Sequence, residues 1–97
     1  MHILTVRQLM DMSNRTILIT GATGGLGRHM AETMAELGGN LILVDRPGSN
    51  YVPLISVLEQ YKCKVKCIDC DLENSEQRTE LIKQISNQNL PVDVLIN

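Results

Sequence analysis

A glycine-rich turn, Thr20-Gly21-Ala22-Thr23-Gly24-Gly25-Leu26-Gly27, is the part of the sequence best suited to chemistry. It follows an apolar run at 17–19 and precedes a helix-like stretch at 28–37. A strand, a glycine turn and a helix in this order direct the amides at the helix N-terminus toward a phosphate group. An acid, Asp45, closes the next apolar run about twenty residues later. A glycine turn with an acid at this spacing predicts a dinucleotide-binding site.

Three glycines of the turn have separate predicted tasks. We expect Gly21 to let the chain bend sharply out of the strand, and Gly25 to leave room for the pyrophosphate. Gly27 would let the helix lie close against the sheet. The turn amides and the positive end of the helix dipole would then face the phosphates, and the Thr23 hydroxyl would add a hydrogen bond. The predicted phosphate-binding residues are therefore Gly21, Thr23, Gly24, Gly25, Leu26 and Gly27.

The alternative interpretation of this turn is purely structural, with glycines that make a tight bend and bind nothing. The strand before the turn, the helix after it and the acid that closes the second strand favour the dinucleotide site. A P-loop is excluded, because no Gly-Lys-Ser/Thr sequence follows the glycines.

Asp45 and Arg46 determine which dinucleotide the sequence favours. A carboxylate at Asp45 can accept hydrogen bonds from both adenosine ribose hydroxyls, and it repels a phosphate on the 2′ oxygen. Arg46 acts in the opposite direction, because a guanidinium beside the ribose can pair with that phosphate. We predict NAD as the cofactor and NADP as the alternative, with both residues at the site. The competing interpretation of Asp45 is a solvated loop acid.

Asp71 closes the third predicted strand as Asp45 closes the second. Its carboxylate can reach the adenine amino group, with Leu72 against the ring. The same carboxylate can instead cap the turn before Asn74. The residues leave both interpretations open, and we include Asp71 and Leu72 among the candidate cofactor-binding residues.

The order of the predicted elements indicates the fold class. Strands are predicted at 15–20, 40–45, 64–70 and 92–97, and helices at 25–37, 51–61 and from a cap at 74 or 75 to 87–89. This alternation predicts an α/β fold, a doubly wound parallel sheet with helices on both faces and the strand order 3-2-1-4. Lysines in the third strand favour a place at the sheet edge.

Apolar spacing predicts which helix positions face the core. In the first helix these positions are Leu26, Met30, Met34 and Leu37, with Ala31 and Ala35 beside them. In the last helix they are Leu81, Ile82 and Ile85. We predict that residues 14–97 form the N-terminal part of one α/β domain, which is truncated at the fourth strand. An N-terminal extension or short helix over 1–13 precedes it, with the helical pattern at 5–12.

Three cysteines, Cys63, Cys67 and Cys70, lie close together in the sequence. Cys67 and Cys70 match the C-x-x-C spacing, but side chains three apart on a strand point to opposite faces. Neither a disulfide nor a shared metal ion fits that geometry easily, and no suitably spaced histidine supports zinc. We therefore expect structural thiols and no metal site, and the alternative is a metal or redox site.

Composition narrows the class of protein. The chain has 97 residues, 43% of them hydrophobic, which suffices for one small domain with an aliphatic core. The net charge of −2 comes without a basic patch, which argues against a nucleic-acid partner. No apolar run is long enough to span a membrane. The first residues lack the basic segment followed by an apolar segment that is typical of a secretory signal. We expect a cytoplasmic protein.

Four motifs together resemble the short-chain dehydrogenase/reductase family from about residue 14 to the last residue. They are Thr20-Gly21-x-x-x-Gly25-x-Gly27, Asp45 after the second strand, Asp71-Leu72 after the third, and Asp93-Val94-Leu95-Ile96-Asn97 in the fourth. The resemblance implies a Rossmann fold that binds NAD(P). In that family the fourth strand runs into an Asn-Asn-Ala-Gly motif, which makes Asn97 a further cofactor-binding candidate.

A second branch of related enzymes shares part of this pattern. Gly21, Gly24 and Gly27 also fit the T-G-x-x-G-x-x-G spacing of the extended branch, which contains nucleotide-sugar epimerases and dehydratases. That branch usually has a bulky apolar residue where this chain has Gly25. We therefore favour the short-chain oxidoreductase branch and retain the extended branch as the alternative.

The resemblance implies hydride transfer between nicotinamide and a carbonyl or alcohol carbon of a small-molecule substrate, in a protein that is commonly a homo-oligomer. In the family, a Tyr-x-x-x-Lys pair and an upstream Ser carry the reaction. Here Tyr51 is followed four residues later by Ile55, and Tyr61 by Val65. No catalytic residue is therefore predicted in this chain. It would supply the adenosine- and pyrophosphate-binding half of the cofactor site.

The last residues, 94–97, form an apolar strand that belongs in the middle of a sheet. We expect the sequence to be the N-terminal part of a longer protein. A truncated module that binds a nucleotide and performs no chemistry is the remaining alternative.

Overall fold

Four parallel strands alternate with three helices in the part of the chain that this computed structural model describes, residues 10–88 and 91–97. The strands are β1 (Thr16–Thr20), β2 (Asn40–Asp45), β3 (Val65–Asp69) and β4 (Val94–Ile96), and the helices are α1 (Gly25–Glu36), α2 (Val52–Leu58) and α3 (Ser75–Asn87). The strand order is β3-β2-β1-β4, which confirms the predicted order. Because β3 ends the row, its predicted edge position is also confirmed.

Strand register brings the carboxyl ends of the strands to one edge of the sheet. Thr20 of β1 pairs with Val44 of β2, and Asp45 at the end of β2 pairs with Asp69 at the end of β3. On its other side β1 pairs with β4, Ile19 against Ile96. The crossovers therefore reverse direction beside β1, and ligands of open α/β sheets bind at such a switch point.

The core has two halves, one on each face of the sheet. Alternating residues of β1 and β2 point to opposite faces, because side chains of a strand alternate. One half packs under α1 and α2 and consists of Ile17, Ile19, Ala22, Ala31, Ala35, Leu41, Leu43, Leu54 and Leu58. The other half includes Leu81 of α3, with Leu18, Ile42, Val44, Ile68 and Cys70. Burial on both faces explains the near-continuous apolar runs in these strands.

Two of the expected inward-facing helix residues point outward instead. Leu26 is 75% exposed, and α1 buries Ala31 and Ala35. At Gly27 the helix packs closely on the turn residues Gly21 and Ala22, and the α1 side chains that reach the core are the two alanines, with Met34 partly buried against it. In α3, Ile82 is 64% exposed although Leu81 is buried as predicted.

Several helices and strands are shorter than predicted. Helix α2 ends at Leu58, because the chain then forms a turn in which the Tyr61 amide donates to the Leu58 carbonyl at 3.0 Å. Strand β4 begins only at Val94, since the Asp93 carboxylate accepts from the Thr16 amide at 2.8 Å. Asn74 caps α3, as one of the two predicted caps, by accepting from the amides of residues 76 and 77.

The predicted helical pattern at 5–12 lies mostly outside the described residues. Within them, the Met12 amide donates to the Leu37 carbonyl at 2.8 Å, which joins the segment before β1 to the end of α1. None of the helices in the described part of the chain combines the length and apolar character that a bilayer crossing requires.

The cysteines occupy opposite sides of the sheet. Cys67 packs against the core half under α1 and α2, whereas Cys70 belongs to the half under α3. Cys63, Cys67 and Cys70 are all free thiols, and burial raises the pKa of each. The predicted opposite orientation of positions 67 and 70 is therefore confirmed.

Candidate nucleotide-binding site

The glycine turn follows the carboxyl end of β1 and contacts the end of the neighbouring strand β2. Gly21 has a φ of +63°, a conformation that a residue with a side chain rarely adopts. The Ala22 amide donates to the Val44 carbonyl at 3.2 Å, and the Gly24 amide donates to the Gly21 carbonyl at 3.1 Å. These bonds hold the turn against β2 and direct the chain into α1.

The first amides of α1 face outward without a protein acceptor. Among the described residues, none accepts a hydrogen bond from the amides of Gly25, Leu26 or Gly27, and the first helical bond runs from Arg28 to Gly24 at 2.9 Å. Gly24, Gly25 and Leu26 are exposed. Three donors at the positive end of a helix dipole are therefore available to an anion.

Gly25 and Gly27 have different surroundings. A Cβ atom on Gly25 would meet no atom of the described residues within 4 Å, so a side chain there would project into open space at the first turn of α1. A Cβ atom on Gly27 would lie 2.1 Å from the Gly21 carbonyl oxygen and 2.9 Å from the Ala22 Cα atom. Gly27 thus permits the close packing of α1 on the turn, and Gly25 leaves the surface of the first helical turn open.

Asp45 is held by the glycine turn itself. Its Oδ2 atom accepts from the Thr23 amide at 3.0 Å and from the Thr23 hydroxyl, and its Oδ1 atom accepts from the Arg46 amide at 2.8 Å. Burial raises the pKa of this carboxyl, but the hydrogen bonds from Thr23 and Arg46 outweigh it and hold the pKa below the ordinary 3.8. The amide and the hydroxyl of Thr23 both donate to Asp45 in this structure, so contact of Thr23 with a phosphate stays a prediction.

A cleft of about 250 Å³ opens beside this carboxylate at the ends of β2 and β3. It brings together five predicted residues that come from distant parts of the sequence, Gly21, Asp45, Arg46, Asp71 and Leu72. Its remaining lining residues are Val44, Cys70 and Glu73. The position beside the glycine turn suits the adenosine end of a dinucleotide.

Asp71 has a turn role in the structure. Its Oδ1 atom accepts from the Glu73 amide at 3.0 Å, and its own amide donates to Gln77 Oε1 at 2.6 Å. This matches the interpretation of Asp71 as a turn acid, and the carboxylate also lines the cleft, where Leu72 is 40% exposed. Contact of Asp71 and Leu72 with adenine stays a prediction.

Glu73 lines the cleft as well, although the sequence did not indicate it. Its Oε1 atom lies 3.9 Å from Arg46 Nη2 across the cleft. The available signal was its place two residues after Asp71, at the same edge of the sheet. Three carboxylates and one guanidinium therefore line this cleft, which gives it a negative balance.

A second cleft, of about 190 Å³, lies on the other side of the glycine turn. Asn97 lines it, and the Thr20 hydroxyl donates to Asn97 Oδ1 at 3.1 Å. The cleft is also lined by Ile19, Thr20, Gly21, Leu26, Gly27, Met30 and Ile96. The open amides of α1 thus stand between two clefts, as an extended ligand with a central diphosphate requires.

Solved structures with the same arrangement have been found among dehydrogenases and reductases. A short-chain type dehydrogenase/reductase from Mycobacterium marinum superposes with a TM-score of 0.84 at 25% identity, covering 95% of this chain and 37% of that one. An NADPH-dependent 3-quinuclidinone reductase from Rhodotorula rubra gives 0.83 at 25% identity, covering 98% of this chain and 36% of that one.

Sequence comparison agrees with the structural similarity. The very-long-chain 3-oxoacyl-CoA reductase of Kluyveromyces lactis is 38% identical over 82 residues, covering 82% of this chain and 23% of that protein. The 3-oxoacyl-[acyl-carrier-protein] reductase of Rickettsia bellii is 33% identical over 88 residues, covering 91% of this chain and 34% of that protein. The chain thus spans about a third or less of these two relatives. The family model described as short chain dehydrogenase matches residues 15–97, and the chain belongs to the short-chain dehydrogenase/reductase family.

Proposed function

We propose that this chain forms the adenosine- and pyrophosphate-binding half of an NAD(P)-dependent short-chain oxidoreductase. The observation that carries the proposal is the set of unpartnered amides at Gly25, Leu26 and Gly27, next to a cleft closed by Asp45. The amides would bind the pyrophosphate, and the Asp45 carboxylate would accept from the adenosine ribose hydroxyls. The same proposal assigns Asp71 and Leu72 to adenine and Asn97 to the second cleft.

The parent protein would transfer a hydride between nicotinamide and a carbonyl or alcohol carbon. The relatives named above are reductases of oxoacyl compounds and of a ketone, which supports a carbonyl substrate. This chain supplies no Tyr-x-x-x-Lys pair, since Ile55 and Val65 follow its tyrosines at that spacing. Residues 14–97 would therefore bind the cofactor without performing the reaction, and substrate contacts and subunit association would belong to the complete protein.

The experiment that tests this proposal measures binding and turnover separately. We expect the chain to bind ADP-ribose, which carries the adenosine and pyrophosphate groups, saturably in a calorimetric titration. It should not oxidise NADH above background when a ketone is supplied. If the folded chain does not bind ADP-ribose, the proposed site is wrong. If the chain alone oxidises NADH, the proposal that residues outside this chain are needed for the reaction is wrong.

NAD is the proposed cofactor, on the basis of the Asp45 carboxylate. Its two oxygen atoms lie at the end of β2 beside the glycine turn, where a 2′-phosphate would meet its negative charge. The solved relatives include an NADPH-dependent reductase, so NADP is retained as the alternative cofactor. We expect this chain to bind ADP-ribose more tightly than its 2′-phosphorylated analogue.

Asp45→Asn should narrow that preference. Asparagine keeps an acceptor for the Thr23 donors but removes the negative charge that repels the phosphate and strengthens the ribose hydrogen bonds. We expect the affinity ratio of the two probes to change by about tenfold, the scale of one charge-assisted hydrogen bond. Calorimetric titration of both probes measures the ratio. An unchanged ratio would mean that the carboxylate does not face the ribose.

The affinity for ADP-ribose should not depend on pH near neutrality. Because the pKa of Asp45 lies below 3.8, the carboxylate stays ionised at every pH above about 5. A carboxyl whose folded-state pKa is depressed stabilises the fold above its unfolded pKa, and this contribution is lost as the pH falls below it. Calorimetric titration should therefore give a constant ADP-ribose affinity from about pH 5 to pH 8, whereas the 2′-phosphorylated probe itself gains a proton at about pH 6.

A further inference from the structure

Two oppositely charged side chains face each other across the mouth of the first cleft. Arg46 follows β2 and Glu73 follows β3, and their nearest charged atoms are 3.9 Å apart. Both side chains are largely exposed, Arg46 at 72% and Glu73 at 84%. The pair therefore joins the two loops that close the cleft, and it does so through side chains that remain in solvent.

The backbone of each partner is fixed by a neighbouring acid. Asp45 accepts from the Arg46 amide at 2.8 Å, and Asp71 accepts from the Glu73 amide at 3.0 Å. The two acids thus set the positions from which the arginine and glutamate side chains extend. Of the described residues that line the cleft, only Arg46 is cationic.

We propose that Glu73 determines nucleotide specificity at this cleft by occupying the Arg46 guanidinium, so that it does not pair with a 2′-phosphate. The inference rests on the proposed function, because it requires the adenosine ribose to lie beside Asp45. A 2′-phosphorylated ligand would have to compete with Glu73 for Arg46 while meeting the charge of Asp45. A ligand with a free 2′ hydroxyl does not need the Arg46 guanidinium, so Glu73 affects it only through the general negative charge of the cleft.

The charge of Glu73 can be removed without disturbing the fold. Exposed ion pairs contribute little to stability, and this one exceeds hydrogen-bond length. The Asp71 bond to residue 73 involves the backbone amide, which any residue except proline retains. Glu73→Gln therefore changes the charge at the mouth of the cleft and leaves the sheet, the glycine turn and Asp45 in place.

The test compares two probes on four forms of the chain. ADP-ribose and 2′-phospho-ADP-ribose are titrated into the wild type, Glu73→Gln, Arg46→Gln and the double variant. Glu80→Gln is the control, since it removes the same charge from an exposed position of α3 that does not line the cleft. Circular dichroism of each variant verifies the fold.

We expect Glu73→Gln to tighten binding of the 2′-phosphorylated probe by about fivefold more than it tightens binding of ADP-ribose. The gain should be larger with Arg46 present than in the Arg46→Gln background, because Glu73 acts through the guanidinium. It should shrink as salt is raised, since the charges are exposed. Glu80→Gln should resemble the wild type with both probes.

Two results would overturn this inference while the proposed function stands. In the first, the wild type binds ADP-ribose, but Glu73→Gln has the same affinity as the wild type for the 2′-phosphorylated probe. Alternatively, the gain could be equal with and without Arg46, which would make Glu73 a general source of negative charge. Failure of the wild type to bind either probe would instead remove the proposed site, and the inference with it.

Discussion

Gly25→Val should weaken ADP-ribose binding by about a hundredfold while the fold is retained. If the pyrophosphate binds the α1 amides as proposed, the valine side chain would hinder its approach, because a Cβ atom at this position enters open space with no atom of the described residues within 4 Å. Each amide bond to a charged phosphate contributes roughly 1.5–3 kcal/mol, and loss of one or two accounts for a factor of this size. Calorimetric titration measures the affinity, and circular dichroism verifies the helical signal.

Thr33→Val is the matched control for this variant. It places the same β-branched side chain on the exposed surface of α1, two turns from the glycine turn, and removes only the hydroxyl bond to the His29 carbonyl. We expect its ADP-ribose affinity to equal that of the wild type. Undiminished binding by Gly25→Val would show that no phosphate approaches the backbone there.

The topology was predictable because local patterns determine it. The apolar runs of β1 and β2 are buried on both faces, and each crossover carries a helix, so parallel pairing follows without knowledge of tertiary contacts. The position of β3 at the edge followed from its lysines. The glycine turn was predictable for the same reason, since a strand and a helix flank it in the sequence.

The buried face of α1 was predictable only in part from helical spacing. Ala31 and Ala35 are buried, as their place beside the larger apolar residues predicts, but Leu26 of the same predicted face is 75% exposed. The deciding contact is between Gly27 and the Gly21 carbonyl, which brings the helix axis close to the strands. The periodicity of apolar residues indicates which face of a helix is apolar. The distance between the helix and the sheet decides which side chains of that face fit between them.

Five of the eight residues that line the first cleft were named from the sequence, but the hydrogen bonds and ion pairs between them were not. Asp45 and Thr23 were both identified, but their mutual hydrogen bonds depend on how the turn packs beside β2. Glu73 was missed because its partner, Arg46, is distant in the sequence and adjacent only through the pairing of β2 with β3. Contacts between loops that follow neighbouring strands require the register, which the pattern of one strand does not contain.

Gly27→Ala should destabilise the chain by about 3 kcal/mol or more, measured as a lower urea midpoint of unfolding. The added Cβ atom would lie 2.1 Å from the Gly21 carbonyl oxygen, and its next nearest atoms are also backbone. No side-chain rotation relieves this overlap, so either α1 must move away from the sheet or the turn must rearrange. Both changes separate Ala31 and Ala35 from the strands that they pack against.

The sign of this effect distinguishes packing from helix propensity. Alanine stabilises a helix relative to glycine by about 1 kcal/mol, so propensity alone predicts that Gly27→Ala raises the midpoint. Gly25→Ala is the matched control, because the same change is made in the first turn of α1 where no atom lies within 4 Å. We expect the Gly25 variant to be as stable as the wild type or slightly more stable, and the Gly27 variant to be far less stable. A midpoint for Gly27→Ala at or above that of the wild type would mean that α1 does not contact the turn at this distance. In that case some other contact would have to hold the turn amides in place for an anion.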